Sequence, residues 1–454
     1  MNTSLSDKIT YRTARVAVVG MGYVGLPLAL AFAKAGFVTI GVELNADRAE
    51  QLNAGHSYIE DVADHELLPH LREGRLRATT DYAVIRDCDA AFICVPTPYT
   101  IQRTPDLSYI VSATEGIAPY LHAGQLIVLQ STTYPGTTTE VVQPILEQVS
   151  GLQACNDDFY LAFSPERIDP GNKQWSAYNT PKVVGGLTTN ATAVAAALLR
   201  QMGAPVHEVS SPSAAELTKL LENTFRAVNI ALVNEMAQLA ERMGIDFWEV
   251  IDAAKTKPFG FMPFRPGPGV GGHCIPIDPY YLLWKAREYD FYTRFIELAA
   301  ETNEAMPYHV VELVTRGLST MGKPLHGARV LVLGVAFKPD IGDSRDTPAE
   351  RVIELLLGRG AEVQYHDPFV PTFHVGGNVF YHEALALNSA PLTDEALQTA
   401  DVVVIVTGHH NVDYCRVLNH TPLVVDSCNA TADVCRHGAA GAAKVVRLGA
   451  PLSS

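Results

Sequence analysis

Short apolar runs alternate with helix-like segments in the first and last thirds of the chain. Residues 15–19, 38–42, 90–95 and 125–130 are the apolar runs of the first third, and residues 26–35 form a helix-like segment between the first two. Continuous apolar runs of this length are typical of strands buried on both faces of a parallel sheet. The alternation therefore predicts a doubly wound α/β domain whose ligands bind at the carboxyl ends of the strands.

The pattern changes near residue 210. Residues 213–243 contain no proline or glycine and carry apolar residues at three- and four-residue spacing, which predicts one long helix. Further helices are predicted at 279–289 and from 292 to 318. Because the apolar stripe is longer than one small domain needs, the long helix is a candidate dimer interface, although it would serve equally as a monomer core. The stripe consists of Leu217, Leu220, Leu221, Phe225, Val228, Leu232, Met236 and Leu239.

The strand and helix alternation returns in the last third of the chain. Its predicted elements are strands at 330–333, 362–365, 402–406 and 423–425 and a helix at 347–357. The complete pattern predicts an α/β protein with two Rossmann-like doubly wound parallel-sheet domains joined by a helical central domain. The predicted domain boundaries are 1–209, 210–322 and 323–454.

Composition and charge argue against several classes of binding partner and location. A formal net charge of −15 at pH 7 argues against a surface for nucleic acid or an anionic membrane. There is no run of about 18 apolar residues, and the start lacks the pattern of a signal peptide. The seven cysteines show no paired metal-ligand spacing. We therefore expect a reduced, cytoplasmic protein that uses no metal.

The first predicted strand leads into Gly20-Met21-Gly22-Tyr23-Val24-Gly25, and a predicted helix follows. Glycines at this spacing permit a tight turn, a close approach of the pyrophosphate and close packing of the helix, whose N-terminus attracts phosphate. Glu43 ends the second predicted strand, where a carboxylate accepts from the ribose hydroxyls and repels a 2′-phosphate, so NAD is favoured over NADP. Arg48 either contacts the cofactor or is a solvated helix charge.

Three later segments of the chain are predicted to be polar turns. Val95-Pro96-Thr97-Pro98 and Ser131-Thr132-Thr133 close two predicted strands, and their hydroxyls either face the nicotinamide and the reacting carbon or belong to ordinary turns. Ser164-Pro165-Glu166-Arg167 is a similar turn with a carboxylate that can handle protons. These turns are the candidate wall of a site at the carboxyl ends of the strands.

Two pairs at four-residue spacing carry candidate chemistry. Lys219 and Asn223 share one face of the long helix, where they either stabilise an oxyanion and orient a water or belong to a solvated stripe. Cys274 follows the glycine-rich residues 267–272 and precedes Asp278 by one turn; a thiol there can attack an aldehyde and hold it as a thiohemiacetal. A nicotinamide site together with a nucleophilic thiol indicates oxidation of an alcohol beyond the aldehyde, to the acid.

Two further pairs are assigned no chemistry. Tyr281 and Lys285 have the spacing of a known dehydrogenase pair, but they follow the glycine-rich loop rather than a sheet strand, so the match is interpreted as chance. His409-His410 lacks the spacing of a metal site and is expected in a loop.

Together, these motifs resemble the UDP-glucose/GDP-mannose dehydrogenase family over roughly residues 14 to 435, in the family's order. The resemblance implies an N-terminal NAD-binding Rossmann domain, a helical linker that forms a homodimer or higher homo-oligomer, and a C-terminal domain that binds the nucleotide of a UDP-sugar. The matching stretches are 20–27, 131–137, Ser164-Pro165-Glu166, Glu216-x-x-Lys219-x-x-x-Asn223, Gly271-Gly272-His273-Cys274-x-Pro276-x-Asp278 and Phe337-Lys338-Pro339-Asp340-x-x-Asp343-x-Arg345.

The resemblance also implies a reaction, in which the carbon-six alcohol of a nucleotide-sugar is oxidised twice with two NAD and one water. Cys274 would hold the aldehyde as thiohemiacetal and then as thioester, and Lys219 would stabilise the oxyanions. The implied catalytic residues are Cys274, Lys219, Asn223, Asp278, Glu166 and Thr132. The implied cofactor contacts are Gly20, Gly22, Tyr23, Val24, Gly25, Glu43, Arg48, Thr97, Thr132 and Arg345. The implied substrate contacts are Glu166, Arg167, Ile168, Lys219, Asn223, Arg265, Gly271, Phe337 and Lys338.

The expected sugar also follows from resemblance. Residues 256–261 and 271–282 are similar to the bacterial UDP-N-acetylhexosamine branch, so UDP-N-acetylglucosamine is expected, with UDP-glucose and UDP-N-acetylgalactosamine as alternatives. Ile277 stands where the UDP-glucose branch carries lysine, and Cys428 stands where relatives often carry arginine for a diphosphate contact. An inactive sensor of NAD and nucleotide-sugar is an alternative of a different class, and the presence of both Cys274 and Lys219 argues against it.

Overall fold

The computed structural model describes residues 4–59, 62–100, 103–168, 174–176, 178–272, 275–432, 434 and 443–451. The chain forms two compact units: Met1–Glu222 with Tyr280–Phe291, and Asn223–Pro279 with Tyr292–Ser454. Each unit contains its own, largely parallel sheet, so the predicted fold class is confirmed. The domain boundaries at 209 and 322 stay predictions.

The first unit is built on an eight-stranded sheet in the order β3-β2-β1-β4-β5-β6-β7-β8. All pairs are parallel except β6 with β7. The strand order reverses between β1 and β4, which is the switch point where ligands collect in such sheets. The strands are β1 (Arg15–Val19), β2 (Val38–Val42), β3 (Leu76–Thr79), β4 (Ala90–Ile93), β5 (Leu126–Leu129), β6 (Tyr160–Phe163), β7 (Lys182–Gly186) and β8 (Val206–Glu208).

Helices cover both faces of this sheet because its strands are apolar on both sides. Val16 and Val18 pack into one core and Ala17 and Val19 into another, as the two-residue period of a strand requires. The predicted helix after the glycine turn is observed as the second helix, and eight of its ten residues are buried. The helices are α1 (Leu5–Thr10), α2 (Gly25–Lys34), α3 (Ala46–Asn53), α4 (Asp64–Arg72), α5 (Ser108–Ile117), α6 (Gln143–Ser150) and α7 (Thr189–Arg200).

The predicted long helix is observed as α8 (Pro212–Met243), and α9 (Phe247–Ala254), α10 (Asp278–Ala286) and α11 (Arg294–Thr320) follow it. The apolar stripe of α8 lies mostly outside the core of the chain. Leu220 is fully buried, whereas six of the other members are 39–63% exposed. The exposed members are Leu217, Leu221, Phe225, Leu232, Met236 and Leu239. The buried face instead carries small residues such as Ala227, Ala231 and Ala237. Within one chain, the stripe is therefore not a monomer core.

The second unit contains a five-stranded parallel sheet in the order β10-β9-β13-β14-β15. An antiparallel hairpin of β11 and β12, which the sequence pattern did not predict, accompanies it. The strands are β9 (Arg329–Leu333), β10 (Glu362–His366), β11 (Thr372–Gly376), β12 (Ala384–Asn388), β13 (Val402–Ile405), β14 (Leu423–Asp426) and β15 (Lys444–Arg447). The remaining helices are α12 (Pro348–Gly358), α13 (Asp394–Thr399) and α14 (Tyr414–His420).

Asp367 ties together the ends of three strands in this sheet. It follows β10, and its carboxylate accepts hydrogen bonds from the backbone N–H groups of Val335 (2.7 Å) and Ala336 (3.0 Å) after β9. His409, after β13, is fully buried with its Nε2 3.0 Å from the same carboxylate. His409 thus lies in a loop, as expected, where it supports the sheet edge.

This carboxylate makes the stability of the second unit depend on pH. Burial alone would raise the pKa of Asp367, but hydrogen bonds from His409 and the backbone outweigh burial and hold that pKa below its ordinary value of 3.8. A lowered folded-state pKa stabilises the fold above the ordinary value and loses its effect as pH falls through the folded value.

We expect Asp367→Asn to lower the free energy of unfolding by about 1–3 kcal/mol at pH 7, because buried donors lose a charged acceptor. The difference from wild type should shrink below about pH 4. Urea unfolding followed by circular dichroism at both pH values measures this. Asp394→Asn, at an exposed aspartate paired with Arg416, is the control and should change little. An Asp367→Asn difference that does not depend on pH would contradict the argument.

Candidate active site

The three glycines of the 20–25 turn have three different surroundings. Gly20 has φ +89°, and a Cβ there would lie 2.7 Å from the Cys94 carbonyl oxygen. A Cβ on Gly25 would lie 1.8 Å from the Gly20 carbonyl oxygen, so α2 packs directly on the turn. Gly22 has nothing within 4 Å of the position its Cβ would take. The turn therefore has an open face at the start of a helix, which fits the pyrophosphate of a dinucleotide.

Glu43 lies beside this turn, directly after β2. Its carboxylate accepts from the backbone N–H groups of Met21 (3.3 Å) and Asn45 (3.0 Å). The Tyr58 hydroxyl donates to the Met21 carbonyl at 2.8 Å, and the Arg48 guanidinium lies 5.1 Å from the centre of the Tyr58 ring. Burial, with Glu43 nearby, raises the pKa of Tyr58. Tyr58 is a support of the turn that the sequence pattern did not reveal.

The polar turns after β4 and β5 lie against each other. The Ser131 hydroxyl donates to the Val95 carbonyl at 2.7 Å, and Thr132 beside it is half-buried. The carbonyl of Thr97 accepts a hydrogen bond from the Tyr281 hydroxyl. Lys285 instead pairs with Glu140 and Glu288, at 2.7 Å each, so Tyr281 and Lys285 are bound to different partners.

Glu166 follows β6 at the same edge of the sheet and is buried. Its Oε1 accepts from the backbone N–H groups of Arg167 (2.8 Å) and Ile168 (3.0 Å). Its Oε2 accepts from the Gln130 amide at 2.8 Å and from Lys182 Nζ at 3.4 Å. Gln130 and Lys182 are partners that sequence reasoning missed.

The first turns of α8 carry a buried carboxylate and a buried ammonium group. Glu216 is fully buried and accepts from the backbone N–H groups of Gly136 (2.6 Å) and Thr138 (2.9 Å) and from the Thr138 hydroxyl (2.6 Å). Burial raises the pKa of Glu216. Lys219, one turn later, is 8% exposed and makes no hydrogen bond or ion pair with the described residues. A buried cation without a partner is costly, so this position favours an anionic ligand.

Asn223 and Asp278 are brought together as a buried pair. The Asn223 amide donates to the Asp278 carboxylate at 2.5 Å, which joins α8 to the first residue of α10. Both side chains belong to motifs that the sequence singled out separately. His273 and Cys274 lie outside the described residues, so the structure gives no geometry for the predicted nucleophile.

The glycine-rich loop before these residues packs against protein. A Cβ on Gly271 would lie 2.8 Å from the Phe337 Cβ, and one on Gly272 would lie 2.9 Å from the Phe337 ring. The Gly272 N–H donates to the Arg345 carbonyl at 3.3 Å. At these two positions the absence of a side chain permits close contact with Phe337.

Two buried asparagines hold the start of the same loop. The Asn234 carbonyl oxygen accepts from the Gly267 N–H at 2.9 Å, and its amide donates to Asn303 at 2.9 Å. Asn303 on α11 donates in turn to the Ala227 carbonyl on α8. The sequence analysis missed both asparagines, because a polar residue in a helical pattern is usually interpreted as facing solvent. The feature that could have revealed them is a single asparagine at a position where the helical pattern predicts an apolar core residue.

The remaining predicted contact residues lie in loops of both units. Arg265 is exposed and Lys338 is half-buried. The Arg345 guanidinium pairs with Asp343 at 2.6 Å, and Arg167, in the first unit, pairs with Glu222 at 2.6 Å. Cys428 follows β14, and burial raises the pKa of its thiol well above the ordinary value, so this position supplies no charge.

Among the described residues, no cluster of three or more histidine, cysteine, aspartate or glutamate side chains could hold a metal ion. The same part of the chain contains no helix long and apolar enough to span a membrane.

Three sequence profiles match the chain in succession. They describe the NAD binding domain, the central domain and the UDP binding domain of the UDP-glucose/GDP-mannose dehydrogenase family, and they match residues 14–203, 213–305 and 331–433. The NAD binding profile covers the glycine turn, Glu43 and the polar turns of the first unit.

Individual proteins agree with these profiles. UDP-N-acetyl-D-glucosamine 6-dehydrogenase of Pseudomonas aeruginosa is 39% identical over 78% of this chain and 83% of its own length. The structure of a UDP-D-ManNAc dehydrogenase from Pyrococcus horikoshii superposes with a TM-score of 0.85 at 31% identity, covering 96% of this chain and 99% of that one. A UDP-glucose dehydrogenase from Pyrobaculum islandicum gives a TM-score of 0.82 at 27% identity, covering 96% and 98%.

The glycine turn gives a prediction that separates cofactor binding from folding. Gly22→Ala should keep the wild-type melting temperature, because its Cβ points into open space. It should weaken NAD binding about tenfold, since a methyl group in the path of the phosphates costs about 1–3 kcal/mol. Gly25→Ala should lower the melting temperature, because its Cβ meets backbone. Calorimetric titration with NAD and thermal unfolding test both variants; unchanged NAD affinity in Gly22→Ala would place the pyrophosphate elsewhere.

Proposed function

Because the chain belongs to the UDP-glucose/GDP-mannose dehydrogenase family and is an NAD-dependent oxidoreductase, we propose that it oxidises the carbon-six alcohol of UDP-N-acetylglucosamine to the acid. The observation that carries this proposal is Lys219, a buried ammonium group without a partner among the described residues, one turn before Asn223. A fixed cation of this kind stabilises an oxyanion, which forms in each stage of an alcohol-to-acid oxidation.

The chain's own residues supply the covalent chemistry in this proposal. NAD, when bound, accepts a hydride in each of the two oxidations. The Cys274 sulfur adds to the aldehyde carbon and forms a carbon–sulfur bond, giving a thiohemiacetal. Its oxidation leaves a thioester, and attack by water breaks the carbon–sulfur bond, releasing the acid and the thiol. Lys219 stabilises the oxyanions, and Glu166 accepts a proton from the attacking water.

Further residues hold the reactants in place. Asn223, Asp278 and Thr132 position substrate and water in the proposal, and their support is the Asn223–Asp278 hydrogen bond and the place of Thr132 at the end of β5. The 20–25 turn holds the pyrophosphate and Glu43 the ribose, and the fit of the open Gly22 face supports this assignment. Thr97, Arg48 and Arg345 remain proposed cofactor contacts, and Arg167, Ile168, Arg265, Gly271, Phe337 and Lys338 remain proposed substrate contacts.

The choice of sugar rests on relatives and on one loop. The P. aeruginosa protein is named for UDP-N-acetyl-D-glucosamine, and other similar proteins are named for the mannosamine and glucose sugars. An acetamido group needs apolar contacts, and the loop before the glycines offers Phe259, Phe261 and Met262, all exposed. Phe264 packs on Phe225 instead. The cytoplasmic location stays a prediction from the sequence.

A panel of UDP-sugars with NAD tests the function. We expect two NADH per UDP-N-acetylglucosamine consumed, and a catalytic efficiency roughly 10- to 200-fold above that for UDP-glucose. UDP-N-acetylmannosamine and UDP-N-acetylgalactosamine complete the panel. Cys274→Ser is the matched variant; it should lose full turnover because no thioester can form. A preference for another sugar would change the substrate, whereas one NADH per sugar, or full turnover in Cys274→Ser, would overturn the covalent mechanism.

We also propose that two copies of the chain associate through the exposed face of α8, so that the active form is a homodimer or higher homo-oligomer. This face consists of Leu217, Leu221, Phe225, Leu232, Met236, Leu239 and Met243, each 39–63% exposed. Exposed apolar residues recurring at three- and four-residue spacing along a helix form a continuous stripe. A contiguous apolar surface of this kind, when it is exposed to water, marks an interaction site.

We expect the wild-type chain to elute as a dimer or larger assembly at micromolar concentration. The double substitution Leu232→Glu and Leu239→Glu should shift it to the monomer, because paired stripes would bury four carboxylates in an apolar contact. Val149→Glu, at an exposed apolar residue on α6, is the matched control and should keep the wild-type mass. Light scattering coupled to size exclusion gives the mass. A monomeric wild type would overturn the proposal.

A further inference from the structure

The reversed strand β7 brings a lysine to the active edge of the sheet. β6 and β7 pair antiparallel, with Phe163 opposite Gly185, so the continued register places Lys182 opposite Glu166. The Ser164 hydroxyl, which donates to the Val183 carbonyl at 2.8 Å, maintains this alignment beyond the last paired residues. The first residue of a parallel strand lies at the amino edge of a sheet. Only the reversal of β7 places its first residue at the carboxyl edge.

The Lys182 side chain pairs with Glu166. Its side chain is 3% exposed, and among the described residues the one hydrogen-bond partner of its Nζ is Glu166 Oε2 at 3.4 Å. Glu166 in turn is 10% exposed in its side chain. Burial of an unpaired carboxylate favours its neutral form, and a cation within this distance favours the charged form. The two side chains therefore form a buried ion pair.

The other groups that face Glu166 do not substitute for this cation. The Arg167 guanidinium is directed to Glu222 and to the Pro181 carbonyl. Cys94, at the end of β4, has its sulfur 3.9 Å from the Gln130 carbonyl oxygen, which leaves the Gln130 amide hydrogens for Glu166. Burial raises the pKa of the Cys94 thiol, so this group is neutral.

We infer that Lys182 is a positioning residue that keeps Glu166 as a carboxylate, ready to take a proton from the water that hydrolyses the acyl group on Cys274. The inference rests on the proposed function. Oxygen Oε1 is fixed by two backbone N–H groups, whereas Oε2 has only the amide of Gln130 and the long contact to Lys182. Each oxygen thus has two donors, and we assign the water to Oε2 because its contact to Lys182 is the longest of the four.

The test is the pH profile of turnover in Lys182→Met. Without the cation, a higher pH is needed to ionise the carboxylate, so the acid limb of kcat should move up by roughly 2–3 pH units. At pH 6 we expect kcat to fall about tenfold, and at pH 9 to return near the wild-type value. Intact-mass measurement during turnover at pH 6 should show more covalent sugar adduct on the protein, because hydrolysis is the slowed step.

Two further variants make the result specific. Lys182→Arg keeps a cation and should retain the wild-type acid limb. Lys8→Met removes a lysine that pairs with Asp89 at 2.6 Å, on residues adjoining the opposite edge of the same sheet, and should leave the profile unchanged. If Lys182→Met does not fold, Lys182→Gln takes its place as the variant without a cation, and an unchanged acid limb in it contradicts the inference, as does a displaced acid limb in Lys182→Arg.

Different results would overturn the role of Lys182 and the proposed oxidation of a UDP-sugar. A wild type that yields two NADH per UDP-sugar, together with a Lys182→Met protein whose pH profile is unchanged, overturns the role of Lys182 alone. An equal loss of kcat at every pH, without added adduct, also overturns it, because that pattern indicates a purely structural lysine. A wild type that yields no acid from any UDP-sugar overturns the proposed function itself.

Discussion

The hydrogen bonds of Glu216 fix the start of the long helix to the sheet of the first unit. Its carboxylate is fully buried and accepts two backbone N–H groups and one hydroxyl from residues 136–138, after β5. Such a group is expensive to bury, and leaving its donors unpaired is equally costly, so the contact permits one register of helix on turn. Lys219 lies one turn further along α8, and Thr132 lies a few residues before the turn. Their relative placement follows from this single anchor.

The parallel arrangement of strands explains why so much of the fold was predictable. Apolar runs such as residues 15–19 and 402–406 can only be covered on both faces, and that requirement indicates a parallel sheet without knowledge of the partners. The glycine turn was predictable for a local reason: Gly20 and Gly25 meet steric demands of the turn itself, and Gly22 leaves the open face that the motif predicts. The helix at 212–243 follows from residues 213–243, an unbroken run free of proline and glycine.

Features that depend on pairing between distant residues were not predictable. The reversal of β7 has no signature in its own sequence, because an apolar strand is equally suited to either direction, and the role of Lys182 follows from that reversal. The apolar stripe on α8 gave the helix but not its core face, since alanines and the amide of Asn234 form the buried side. Gly271 and Gly272 lie against Phe337, which is far along the chain, so their local sequence carries no sign of this contact.

The buried charges of the first unit differ in how they are satisfied, and the difference marks the site. Glu216 and Glu166 have several donors each, and Lys182 has a carboxylate. Lys219 alone in this set has no partner among the described residues, although it is nearly as buried. A chain with a formal charge of −15 has no general attraction for an anionic ligand. A desolvated ammonium group acts strongly at short range, so recognition of an anionic substrate or an oxyanion can be confined to that position while the surface stays negative.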